Sequence, residues 1–305
     1  MSDSKPVSTA LWAIFSCLLW STAFVGVKAG LQYAKPLSFA GVRFMISGLL
    51  IVPFCKPSQY VRQVRVHMRL ILVVGLFQTA LLYGFFYIGM TMVSGAMGAI
   101  VIGSSPLFAA LVAHFVMHDD RMNIRKTGSI LLGILGIVIV TLSRQPWSSS
   151  GFQEGIGVVF LIMGCLSSAF GNVIFTKNRD NVHPLIFNSA QIFYGGFLLL
   201  LVSLPVEGLP RWQWSGVLTA ALAWLSVLSA AAFSIWFAML KRPGVKVSEL
   251  NVWKFVIPLF GAMFSWIFLK GESPTWPMLG GMLFVTVSIL AFYRSTRLKS
   301  YGTTR

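Results

Sequence analysis

Ten apolar runs of roughly twenty residues, separated by short polar stretches, constrain this chain more than any other feature. They fall at 9–29, 36–55, 68–90, 94–117, 124–142, 155–176, 184–204, 214–240, 246–269 and 276–294. About 20 apolar residues in a helix cross the ~30 Å hydrocarbon core of a bilayer, whereas barrel strands would read as ~10-residue segments of alternating polarity. Charged residues make up 10% of the sequence, against about 25% in soluble proteins. The separators, such as KPSQYVRQVRVH after the second run and LKRPGVK after the eighth, are too short to hold a soluble domain. The expected fold class is an all-α membrane protein with ten transmembrane helices.

The formal net charge of +16 follows from topology. Lysines and arginines stand between the apolar runs, which points to a lipid bilayer and to no nucleic acid as partner. One side collects seventeen of them, from Lys5 through the cluster Lys56, Arg62, Arg65 and Arg69 to the tail with Arg294, Arg297, Lys299 and Arg305. The other side collects only Lys35, Arg144, Arg211 and Lys270. Positive loops stay cytoplasmic, so both termini are expected in the cytoplasm of a multi-pass protein of a bacterial or archaeal cell membrane. The first run is longer than a signal-peptide core and is read as an uncleaved helix. Cys17, Cys55 and Cys165 all lie in apolar runs without Cys-x-x-Cys spacing, which argues against a disulfide framework or zinc site.

The sequence also repeats. A shift of 146 lays Ser21-Thr22-Ala23-Phe24 on Ser167-Ser168-Ala169-Phe170, and a shift of 148 lays Pro36-Leu37 on Pro184-Leu185. A shift of 152 aligns SPLF at Ser105–Phe108 with IPLF at Ile257–Phe260, and Asp120 with Glu272. The units are residues 1–145 and 146–305. Two similar units of five helices each must enter the membrane from opposite sides, so they are inverted repeats, an architecture of secondary transporters.

The residues also resemble a known family. LWSTAFVGVK, with Trp20, Thr22, Phe24 and Lys28 in register, resembles the first-helix signature of the EamA-type transporters of the drug/metabolite transporter superfamily, with Ser21 where that family usually has Gly. PLSFAGVRF, containing Arg43, resembles the start of the family's second helix. The segment ending Asp119-Asp120-Arg121 resembles the helix with a central proline that ends in Gly-Glu-Arg, and the second half keeps Gly271-Glu272. The resemblance covers nearly the whole chain and implies ten helices, a central cavity and export or exchange of small metabolites. Lys254 departs from the family's mostly apolar pattern at its position.

Ionisable residues inside transmembrane helices are costly and usually face protein or water. Three cations qualify. Lys28, near the outer end of helix 1, either snorkels to the headgroups or forms an outer-mouth charge. Arg43 either draws an anionic group there or bonds across helices. Lys254 is the leading substrate-binding candidate, between Trp253 and Phe255 and one turn before Pro258; its alternative is a buried ion pair. Glu249, five residues away, does not share a helical face with it. Further substrate-binding candidates are Gln78, Tyr83, Asn172, Gln191, Tyr194, Trp236 and Asn251, with interhelical hydrogen bonding as the alternative. Pro106 and Pro258 occupy corresponding places and are expected to kink their helices as hinges. Trp12, Trp147, Trp212, Trp214 and Trp276 lie at span ends and read as interfacial anchors. His114 and His118 have i, i+4 spacing but no third ligand, so no metal site and no cofactor is expected.

These features point to a secondary transporter, an exporter or exchanger working by alternating access on amino acids or related carboxylate-bearing solutes. The alternatives are a multidrug or other metabolite exporter of the same family, or a channel. A channel lacks support from any carbonyl-filter motif, and an enzyme would need acids, His or Cys converging at membrane depth. Few acids lie there, so uniport or exchange is expected, with proton antiport through Glu249 or a lysine of lowered pKa as the other route.

Overall fold

The structure is a computed structural model and describes residues 6–116, 124–143, 149–178, 182–242 and 253–302. Among these residues every element is helical, without a strand. The first half contains α1 (Pro6–Gly30), α2 (Pro36–Ile51), α3 (Pro57–Val66), α4 (Met68–Gly75), α5 (Leu82–Met92), α6 (Gly95–Gly103), α7 (Ser105–Val116) and α8 (Ile124–Ser143). The second contains α9 (Ser149–Lys177), α10 (Pro184–Glu207), α11 (Gly216–Leu240), α12 (Val256–Phe268) and α13 (Trp276–Gly302). Among the described residues seven segments are long and apolar enough to span a membrane, and three shorter apolar helices, Thr127–Ser143, Val256–Phe268 and Trp276–Phe292, accompany them. The protein is a multi-pass membrane protein.

Local chemistry sets the helix ends. Pro36, Pro57 and Pro184 stand at the starts of α2, α3 and α10, where a missing N–H costs nothing and the fixed φ suits the first turn. Ser94 and Ser215 cap α6 and α11, their hydroxyls accepting from the amides of Met97 and Leu218. Gly208, at φ 76°, ends α10 in a conformation that side chains rarely adopt.

Two elements differ from the apolar-run reading. The basic separator after the second run folds into α3, an amphipathic helix with no buried residue. Its period was hidden by its polarity, since Val61 and Val66 are its apolar exposed positions. The third run is continuous from Met68 to Met92 but adopts π-helical geometry at Leu76–Leu81, between α4 and α5. Such a turn frequently marks a functional position.

The principal packing partners are drawn from opposite halves: α2 against α10, α8 against α13, α1 against α11, α5 against α9, and α6 against α12. Small residues bring these pairs close. A Cβ on Gly136 would lie 2.7 Å from the Gly281 carbonyl oxygen, and one on Gly196 would lie 2.8 Å from that of Gly41. The α6/α12 contacts pair Gly95 with Ser265, Ala99 with Gly261, and Gly103 with Pro258. As one number rises the other falls, so these helices cross antiparallel. Packing of this kind replaces hydrophobic burial as the cohesive force inside lipid.

Candidate functional site

A cavity of about 100 Å³ lies between the halves. From the first half it is lined by Trp20, Ala23 and Phe24 of α1, Arg43 of α2, Gln78 of the π-turn, Leu82, Tyr83 and Phe86 of α5, and Ile102 and Ser105 at the α6/α7 break. From the second it is lined by Cys165, Ser168 and Asn172 of α9, Phe233, Trp236 and Phe237 of α11, Lys254, and Ile257 of α12. The walls are mostly apolar, with seven aromatic residues among them and a small number of placed polar groups, the usual make-up of a small-molecule site.

Arg43 is only 1% exposed. Its Nη1 donates to the Tyr87 hydroxyl and its Nη2 to Ser229 Oγ at 2.7 Å, while its guanidinium carbon stands 4.4 Å from the Phe44 ring centroid. Its Nε has no partner. A buried cation is normally compensated by an anion; here two neutral hydroxyls and an aromatic face hold it. The Lys254 ammonium lies 5.1 Å from the Trp236 ring centroid. Across the cavity, Gln78 Nε2 donates to Asn172 Oδ1 at 2.6 Å. Gln78 Oε1 and Trp20 Nε1 are left without partners.

Of the residues singled out from the sequence, Lys254, Trp236, Asn172, Gln78, Tyr83 and Arg43 therefore meet in one cavity. Gln191 and Tyr194 do not line it. Gln191 accepts from Thr79 Oγ1 at 2.9 Å and donates to Asn188 Oδ1 at 3.2 Å, which makes it an interhelical tie. Tyr194 packs where a Cβ on Gly75 would lie, 3.0 Å from its Cδ1. Asn251, Glu249 and His118 lie outside the described residues, as does the side chain of His114.

At Pro106 the helix is interrupted by one residue within a span that runs from Gly95 to Val112. Gly103 ends α6, Ser104 forms the joint at φ −79° and ψ −1°, and Pro106 sits in the first turn of α7. Pro258 likewise falls in the first turn of α12, after a 3₁₀ turn at Trp253–Phe255, so its missing N–H leaves no gap in a helical ladder. The two breaks meet, since a Cβ on Gly103 would lie 2.3 Å from Pro258 Cδ.

Lys28 turns inward instead of snorkelling: its ammonium donates to the carbonyls of Met90 at 3.1 Å and Val93 at 2.9 Å, at the end of α5. Two residues further, the Glu272 carboxylate accepts from the amides of Gly95 at 2.6 Å and Ala96 at 3.0 Å, at the start of α6. Opposite charges thus hold the two sides of the α5–α6 turn, each matching the helix end it faces. Glu207 does the same for α2, accepting from Leu37 at 2.6 Å and Ser38 at 2.9 Å. Trp212, expected as an interfacial anchor, donates to Ser38 Oγ at 3.3 Å and packs edge-on to Phe39.

Sequence reasoning missed the other aromatic walls, Trp20, Phe24, Phe86, Phe233 and Phe237. Trp20 carried a signal, because it stands in mid-helix while the other tryptophans read as anchors flank their spans. Phe24 also stood in the first-helix motif, whereas Phe86, Phe233 and Phe237 carried no signal, being ordinary residues of apolar runs.

An all-helical multi-pass chain whose halves enclose a cavity with buried cations belongs with membrane transport proteins. The sequence profile of the EamA-like transporter family matches residues 7–142 and again 155–294. The chain belongs to that family, whose members transport small metabolites. It is 27% identical over 289 residues to an uncharacterized transporter, YvbV, of Bacillus subtilis (strain 168), covering 95% of this chain and 92% of the relative. It is 26% identical over 279 residues to an S-adenosylmethionine/S-adenosylhomocysteine transporter of Chlamydia muridarum (strain MoPn / Nigg), covering 87% and 85%. A solved crystal structure with 15% identity superposes with a TM-score of 0.63 over 93% of this chain and 95% of its own, which shows a shared fold.

Proposed function

We propose that the protein is a secondary transporter, exporting or exchanging a small carboxylate-bearing solute, an amino acid or a related metabolite, by alternating access around this cavity. Its architecture is ten transmembrane helices in two inverted repeats, 1–145 and 146–305, with both termini cytoplasmic. The helix pairing supports this reading. Exchanging the halves sends α2/α10, α6/α12 and α8/α13 onto themselves and exchanges α1/α11 with α5/α9. A two-fold relation between the halves has that property, and an antiparallel crossing of equivalent helices puts its axis in the membrane plane.

The observation that carries the solute class is the placement of two cations, Arg43 and Lys254, on one cavity with no carboxylate among its described lining residues. They and the amides of Gln78 and Asn172 form the proposed binding groups, with Pro106 and Pro258 as hinges and Lys28 as the charge at the outer end. The relative named for S-adenosylmethionine handles a solute that also bears an amino-acid carboxylate. Counterflow in proteoliposomes preloaded with amino acids and organic acids tests the proposal: saturable, trans-stimulated uptake is expected, and a non-saturating leak refutes it. The same assay with and without a pH gradient distinguishes exchange from proton antiport.

A further inference from the structure

The cavity carries a directional pattern that narrows the solute. Five ring or cation contacts run through it in series. The Arg43 guanidinium carbon lies 5.7 Å from the Tyr83 ring centroid, Tyr83 lies 6.3 Å from Phe233, Phe233 lies 5.1 Å from Trp20, Trp20 lies 5.1 Å from Trp236, and the Lys254 ammonium lies 5.1 Å from Trp236. All six residues line the cavity. A buried guanidinium therefore closes one end of an aromatic row and an ammonium closes the other.

We infer that the preferred solute is an elongated arylalkyl carboxylate without an ammonium group. Resting on the carrier reading above, this inference assigns the carboxylate to Arg43 and the aromatic body to the row that leads to Lys254. Arg43 has one N–H committed to Tyr87 and another to Ser229, which fixes the plane of the guanidinium, while Nε remains unpartnered. A planar fork held in place by neutral hydroxyls keeps its positive charge, and its buried Nε–H is a donor that a carboxylate would satisfy with a charge-assisted hydrogen bond. Trp20 Nε1, a second buried donor without a partner on this cavity, supplies a further bond to an anionic or carbonyl oxygen. The unpartnered acceptor, Gln78 Oε1, is neutral. An ammonium on the solute would share the cavity with two fixed cations, and like charges brought together at a desolvated site weaken binding. Stacking on Tyr83, Phe233, Trp20 and Trp236 supplies the apolar part of the affinity.

Four probes separate these elements: 3-phenylpropionate, phenylalanine, 2-phenylethylamine and propionate. Each is titrated by calorimetry against the purified full chain in detergent and used as competitor and preload in counterflow. The expected order places 3-phenylpropionate first, with phenylalanine about tenfold or more weaker, as like-charge juxtaposition requires, and the amine and propionate weaker still. Lys254→Gln, at the end of the row opposite the carboxylate, is expected to narrow the gap between 3-phenylpropionate and 2-phenylethylamine, whose ammonium no carboxylate ties to Arg43, a change in preference that loss of packing alone would not cause. Trp20→Phe keeps an aromatic ring, removes the N–H and is expected to weaken 3-phenylpropionate by about tenfold or more, the worth of one hydrogen bond to a charged group. It serves as the second variant should Arg43→Gln not fold. If phenylalanine or 2-phenylethylamine binds tighter, or if saturable counterflow occurs only with solutes of another class, the inference falls while the carrier reading stands. A non-saturating leak of all four overturns both.

Discussion

Replacement of Glu272 by Ala tests whether the α5–α6 turn is held by charge. The carboxylate accepts two backbone N–H groups, from Gly95 at 2.6 Å and Ala96 at 3.0 Å, and lies half-buried between the halves. Hydrogen bonds to charged groups contribute about 1.5–3 kcal/mol each when buried, and partial exposure lowers that toward about 1 kcal/mol each. Ser94 still accepts from Met97, so α6 keeps one cap. The expected loss in Glu272→Ala is therefore about 2 kcal/mol, a fall of about 3 °C in the unfolding midpoint of a chain this long. Glu272→Gln retains one acceptor oxygen without the charge and is expected to lose about half as much. Thermal unfolding followed by intrinsic fluorescence, at one scan rate in one detergent, measures both variants against Glu207→Ala, which removes the matching pair of bonds at the start of α2. A midpoint for Glu272→Ala within about 1 °C of the unmodified chain would refute the reasoning, because even one lost bond should move it further. A midpoint for Glu272→Gln equal to that of the unmodified chain would show that charge contributes nothing.

Other predictions concern the cavity and the helix crossings. Lys254→Ala should lower saturable counterflow at least about tenfold, because an intramembrane cation is retained for function; an unchanged rate would exclude it from the site. Gln191→Ala should cost about 1 kcal/mol of stability, the scale of an interhelical hydrogen bond, and leave the order of solute preference unchanged in the same assay. Gly103→Ala should destabilise by about 1–3 kcal/mol, since the added Cβ meets a rigid proline ring, whereas Gly128→Ala, whose Cβ would meet nothing within 4 Å, should be neutral or slightly stabilising in the same thermal assay.

The fold class was readable because lipid leaves a chain few options: an apolar run of sufficient length becomes a helix whatever its neighbours do. Arg43 and Lys254 stood out for the same reason, as charges where charge is expensive. Gln191 looked like Gln78 in sequence, since each is an amide in an apolar helix. What separates them is the Thr79 hydroxyl that claims Gln191 and the π-helical turn that turns Gln78 toward Asn172, and both are tertiary facts. The α5–α6 clamp was equally hidden. Glu272 was visible as part of a family motif, but its partners are amides 176 and 177 residues away, and no spacing in the sequence reports a backbone N–H left open at a helix start. α3 was passed over because a short polar helix between two long apolar ones leaves no run to detect.

The helix pairing also bears on what counts as a unit of this molecule. The family profile matches twice, over residues 7–142 and 155–294, yet each long helix finds its principal neighbour in the other matched stretch. Neither half buries its own glycine seams, so a gene cut between α8 and α9 should give two fragments that are degraded when made alone and recovered together when co-expressed. Inheritance, which copies the half, and folding, which requires the pair, act here on units of different size. A substitution on one copy's seam is therefore tested against the other copy.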